Sequence, residues 1–190
     1  MPTTTPTILI IPGLRDHVPD HWQTHLAHDL AGKYPLHTVE PLTENKLSCA
    51  ARVQAIQAAV DSIGGPFVIA AHSGGVIMLA HWARTSTTRP LSALLVTPPD
   101  FDTPLPAGYP TLETLRDNGW LPVPREPFPF PSLVAGSTND PLSSEARAQA
   151  LAQRWGSRWL SLGEVGHLNP ASGYGRWPRA VELLESLIVV

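Results

Sequence analysis

The run Phe67-Val68-Ile69-Ala70-Ala71-His72-Ser73-Gly74-Gly75-Val76-Ile77-Met78-Leu79 constrains the fold more than any other stretch of the chain. An apolar, β-branched segment stops at a serine set among small residues, and an apolar segment of helical length follows. A buried strand, a sharp turn and a helix produce this pattern. Strand and helix approach closely at such a turn, so positions two before and two after the serine need small side chains. Ala71 and Gly75 supply them. Ser73 then takes the apex with strained backbone angles, its hydroxyl projecting from the C-terminal edge of a sheet at the positive end of the next helix. A nucleophile can be made there. The plainer reading is a loop of ordinary turn residues with no chemistry, and five residues do not decide between the two.

The rest of the chain supplies context. Residues 7–11 are apolar on both alternating faces, which predicts a central strand covered on both sides and ended by Pro12-Gly13. Asp20 is the expected N-cap of a helix over about 21–33. A short strand at 36–39 follows, then a helix marked by Leu47, Val53, Ile56, Val60 and Ile63 that stops at Gly64-Gly65-Pro66. The strand at 67–70 and a helix over 74–84 flank Ser73, and 91–96 reads as another buried strand. From Pro98 to Pro131 the chain carries ten of its 21 prolines, with only a weak helical hint at 111–116. Phe101, Tyr109, Trp120, Phe128 and Phe130 can dock this stretch, so it reads as an ordered surface excursion. A strand at 132–136, a helix over 143–154, a strand at 158–161 and a helix over 174–188 complete the order. Strands alternating with helices imply a mostly parallel six-stranded sheet in a three-layer α/β/α sandwich. The 190 residues suit one domain, 1–190, able to bury roughly 70% of its unfolded surface.

In such sheets chemistry gathers beyond the carboxyl ends of the strands. Asp140 follows the fifth strand in Ser137-Thr138-Asn139-Asp140-Pro141, and His167 follows the sixth in Gly166-His167-Leu168-Asn169. Their chain order, Ser73 then Asp140 then His167, is that of α/β-hydrolases. A serine hydroxyl attacks well only while a base removes its proton, and a neutral imidazole does this near pH 7. Asp140 would orient His167 and stabilise its charged form. The oxyanion needs two backbone N–H donors. Gly74 is one, and the other is Leu14, with Arg15 as the alternative. Competing readings are that Asp140 only caps the next helix, a place Ser143 fits better, and that Asp100 or Asp102 is the acid.

Pro12-Gly13 with His21-Trp22-Gln23, His72-Ser73-Gly74-Gly75, Pro129-Phe130-Pro131-Ser132 leading to Asn139-Asp140-Pro141, and Gly166-His167-Leu168-Asn169 together resemble the small single-domain serine hydrolases of the YdeN type. These include the vertebrate retinoblastoma-binding serine hydrolase and are compact members of the α/β-hydrolase superfamily. The resemblance runs over essentially the full length. It implies strand order 2-1-3-4-5-6 and no large helical lid. The chain departs from the superfamily at Ala71, where glycine is usual, and at Pro12, where many members carry histidine.

Other functions fit less well. A net charge of −3 offers no basic footprint for nucleic acid or membrane, and no apolar run approaches a membrane span. Residues 1–7 lack the basic start of a signal peptide, and the single Cys49 excludes an internal disulfide, which together suit the cytoplasm. His17, His21, His25 and His28 crowd one segment, but Trp22 stands where a zinc-protease helix needs glutamate, so neither metal nor cofactor is expected. Arg15, His21, Trp22 and His72 are the candidates for substrate binding. Leu14, Trp22 and the aromatics between Phe101 and Phe130 are the candidates for an acyl pocket. The expectation is a serine esterase for a small ester or acyl substrate, with an amide or thioester as variants. The competing class is a protein-interaction module that keeps the fold with little catalysis.

Overall fold

The computed structural model describes residues 5–16 and 18–188. Six strands form one sheet: β1 (Thr7–Ile11), β2 (Leu36–Thr38), β3 (Phe67–His72), β4 (Ser92–Val96), β5 (Ser132–Gly136) and β6 (Arg158–Ser161). Their spatial order is β2-β1-β3-β4-β5-β6, and every neighbouring pair is parallel. All carboxyl ends therefore share one edge. The helices are α1 (Trp22–Leu30), α2 (Cys49–Asp61), α3 (Gly74–Thr85), α4 (Leu112–Asp117), α5 (Glu145–Arg154) and α6 (Arg179–Ile188).

Alternation along the strands divides the interior in two. Leu9, Ile11, Ile69, Ala71 and Leu95 pack with α2, α3 and residues of the excursion. Ile8, Ile10, Val68, Ala70 and Leu94 pack with α1 and α6. The sheet is thus the middle of three layers, and its central strands are buried on both faces because both are covered. Among the described residues, no helix is long and apolar enough to cross a membrane.

Several boundaries differ from expectation, and four have a local reason. Asp20 does not cap α1; the His21 Nδ1 accepts the Gln23 amide at 3.2 Å, while Asp20 pairs with His25 Nε2 at 2.9 Å. Ser144, not Ser143, caps α5 by accepting the Arg147 amide. Strand β3 runs on to His72, because its ladder with β4 continues through Ala71 and His72. The last helix begins at Arg179, not residue 174. Pro178 disfavours helical geometry at Trp177, and a separate 3-10 turn at Pro170–Ser172 takes up the preceding chain.

The excursion between β4 and β5 is ordered by its aromatics. Trp120 is fully buried, sits edge-on to Phe101 at 5.7 Å, and its indole N–H donates to the Leu47 carbonyl at 2.7 Å. Phe128 stacks on Phe130 and contacts Trp155, whose own N–H donates to the Pro124 carbonyl.

Candidate active site

Ser73 occupies the turn between β3 and α3 with φ 55° and ψ −129°, a conformation L-residues rarely adopt. The turn closes against β1. A Cβ added at Gly75 would meet the Pro12 and Ile11 carbonyl oxygens at 2.5 and 2.6 Å, so glycine is required there. The nearest crowding at this position therefore comes from the neighbouring strand β1. Gly13 brings the β1 loop to the same place: a Cβ there would lie 3.3 Å from the Ser73 Cβ.

The three predicted residues converge. The Ser73 hydroxyl is 2.7 Å from His167 Nε2, and His167 Nδ1 is 3.0 and 2.9 Å from the two Asp140 carboxylate oxygens. A carboxylate only accepts, so Nδ1 carries the proton and donates, which leaves Nε2 of a neutral ring free to accept from the serine. The side chains of His167 and Asp140 are only 5% and 3% exposed. Asp140 also accepts the Leu142 amide at 2.9 Å, so one carboxylate fixes both its own loop and the imidazole. Asp100 and Asp102 point elsewhere. Asp100 takes both Nε and Nη2 of Arg147, at 2.8 and 3.0 Å, and Asp102 is shared between Arg147 and Arg125.

The Leu14 and Gly74 amides flank Ser73. A Cβ on Gly74 would fall 2.9 Å from the Leu14 side chain and 3.5 Å from its backbone nitrogen. Neither amide takes part in the turn, loop and cap hydrogen bonds of the described residues.

A cavity of about 340 Å³ opens over the serine. Leu14, Arg15, His21, His72 and Gly74 line it together with Ser73 and His167, and the excursion contributes Phe101, Leu105 and Tyr109. Trp22 does not line it, contrary to expectation. It is 1% exposed and lies behind the wall, edge-on to His72 and Trp177 at 5.9 and 5.2 Å. Trp120, Phe128 and Phe130 likewise serve packing and not the cavity. Of the histidine cluster, His25 is engaged with Asp20 and His21 with the Gln23 amide, and His17 lies outside the described residues. No group of three or more His, Cys, Asp or Glu among the described residues is placed to hold a metal ion.

The serine hydrolase family model matches residues 8–186. The chain belongs to the serine hydrolase family. A YdeN-like hydrolase from Pectobacterium atrosepticum is 25% identical, with a TM-score of 0.77 over 96% of this chain and 90% of that one. The ydeN gene product of B. subtilis is 16% identical, with a TM-score of 0.73 over 98% and 100%. Est1E from Butyrivibrio proteoclasticus is 12% identical, with a TM-score of 0.71 over 100% and 90%. No curated protein matches the chain. The fold is that of a compact α/β-hydrolase of the YdeN type.

Several residues that hold this hydrolase's rim in shape escaped the sequence reading. Gln23 is buried and its amide donates to the Ile11 and Ala70 carbonyls at 3.1 and 3.0 Å, tying α1 across the ends of β1 and β3. Arg52, also buried, donates to the Leu14 and Lys46 carbonyls at 3.2 and 2.8 Å and pairs with Asp16. The signal was a polar residue on an apolar helix stripe: Arg52 lies between Cys49 and Ile56 at helical spacing. Asn139 Oδ1 accepts the Gly166 amide at 2.6 Å, and Ser172 Oγ accepts the His167 amide at 3.0 Å. Gly166, at φ +56°, leaves room for that serine, since a Cβ there would sit 2.6 Å from Ser172 Oγ. His72, expected as a substrate-binding candidate, also holds the rim. Its Nε2–H donates to the His167 carbonyl at 2.9 Å. Burial first, then the adjacent His167 and His21, hold this imidazole well below its ordinary pKa. His72 is therefore a neutral donor that fixes the loop carrying His167.

Proposed function

We propose that the protein hydrolyses a carboxylic ester of a small substrate through an acyl-enzyme, with Ser73 as nucleophile, His167 as general base and Asp140 as its orienting acid. The observation that carries this reading is the unbroken chain from Ser73 Oγ through His167 to Asp140, at 2.7 and 2.9 Å. Ser73 Oγ attacks the carbonyl carbon as its proton passes to His167 Nε2. The oxyanion that forms is met by the Leu14 and Gly74 amides. Collapse breaks the carbon–oxygen bond, and the departing alcohol takes the proton from His167. Water then repeats the sequence, releasing the acid and restoring Ser73. Each step uses groups of the chain itself, and Asp140 stays ionised throughout.

An ester is favoured over an amide because the alcohol is the easier leaving group. Est1E and an esterase from Thermogutta terrifontis share the fold, at 12% and 14% identity. An amide or thioester would use the same steps. The absence of an internal disulfide suits a cytoplasmic enzyme. Turnover of short-chain p-nitrophenyl esters tests the proposal. Ser73→Ala is expected to lose on the order of 10⁶-fold in kcat, and unchanged turnover in that variant would end it.

A further inference from the structure

The cavity over Ser73 is walled mainly by apolar groups, among them Leu14, Leu47, Phe101, Leu105 and Pro110. An arginine and an aspartate also line it, Arg15 and Asp16. Their situations differ. Asp16 is paired with Arg52, and the two side chains are 16% and 6% exposed. Arg15 makes no ion pair or hydrogen bond among the described residues. Its guanidinium lies over the Tyr109 ring, 5.2 Å from the centroid, on the excursion side of the same cavity.

We infer that Arg15 is a specificity residue that binds a carboxylate on the substrate, so that the preferred ester carries a free acid group on a short apolar chain. The inference rests on the reading of Ser73 as nucleophile. The cation–π contact positions the guanidinium over Tyr109 while no hydrogen bond occupies its N–H donors, which leaves them available for a two-point contact with a carboxylate. A single guanidinium matches a single negative charge. A phosphate dianion would call for further donors, and among the described residues no other Lys or Arg lines the cavity. Arg15 also directly follows Leu14, whose amide is assigned to the oxyanion, so the bound acid group and the reacting carbonyl are addressed from one loop.

The test compares monomethyl adipate and monomethyl suberate with methyl esters of uncharged acids of matching length, following methanol release. The wild-type protein is expected to favour the charged esters in kcat/KM. Arg15→Gln should reduce that preference about 10- to 100-fold, the range of a charged hydrogen bond, with the loss in KM. Arg15→Lys should restore part of it, and Arg15→Glu should reverse it. The same preference in all four proteins overturns the inference. Should no ester be turned over, the hydrolase reading fails, and calorimetric titration with adipate then decides about Arg15. Binding at least about tenfold weaker in Arg15→Gln upholds the site; equal binding, or none in either protein, removes it.

Discussion

One wall of the cavity over Ser73 hangs from strand ends, and the other is folded from the proline-rich excursion between β4 and β5. The strand-end wall is held by polar side-chain contacts that each reach a carbonyl or amide of a neighbouring strand end or loop: Gln23 to Ile11 and Ala70, Arg52 to Leu14, Asn139 to Gly166, and His72 to His167. The excursion wall is held by aromatic rings, with indole N–H groups anchored on carbonyls. Hydrogen bonds fix direction as well as distance, which suits groups proposed to exchange a proton across less than 3 Å. Ring packing fixes position but tolerates changes of shape more easily. The first wall thus carries the groups proposed to react, with Arg15 on the same β1 loop, and the second adds shape and the Tyr109 ring beneath that guanidinium.

This contrast can be broken by experiment, and the largest expected effect is on the strand-end wall. Asp140→Asn keeps the shape but turns one acceptor oxygen into an NH2 donor, so the His167 tautomer is no longer dictated, and kcat should fall on the order of 10⁴-fold with little change in melting temperature. A fall below tenfold would mean that the carboxylate is only a loop fastener. On the excursion side, Trp120→Ala should cost about 3–5 kcal/mol of stability, read from a denaturant midpoint. Its effect on ester turnover per folded molecule should stay small beside that of Asp140→Asn. A collapse of kcat at full folding would show that the two walls are not separable.

The smallest effect concerns acid. His72 is held well below its ordinary pKa by burial and by the adjacent His167 and His21. Below about pH 6.5 the unfolded chain takes up a proton there that the folded chain does not. Stability should therefore be complete above that pH and decline as pH falls toward the folded-state pKa, by at most about 1.4 kcal/mol per pH unit. Denaturant midpoints at pH 7.5 and 5.5 should differ more in the wild type than in His72→Gln. Equal differences would remove His72 as the sensitive group.

The sequence made the proposed reacting groups legible because each sits past the end of a strand, and strand ends are marked by composition. Ser73 follows an apolar run, while Asp140 and His167 follow segments that stop at glycine or polar residues. The parallel sheet then carries all three to one edge whatever lies between them. The supporting contacts were less readable, since nothing local to Gln23 or Arg52 tells which carbonyls they will reach; that depends on how loops far apart in the chain come together. The N-cap of α1 was misplaced because a histidine ring, and not the adjacent Asp20, does the capping. Trp22 was misassigned for a similar reason: its spacing correctly puts it on the buried face of α1, but only the packing of His72 and Trp177 shows that it lies behind the cavity wall.

The intact mass of the protein after exposure to a fluorophosphonate probes the reactivity of Ser73 most directly, without assuming any substrate. One adduct per chain, mapped to Ser73, absent in Ser73→Ala and much slowed in Asp140→Asn, is the expected result. No adduct in the wild type, or an adduct that persists in Ser73→Ala, would contradict the assignment of Ser73 as the nucleophile.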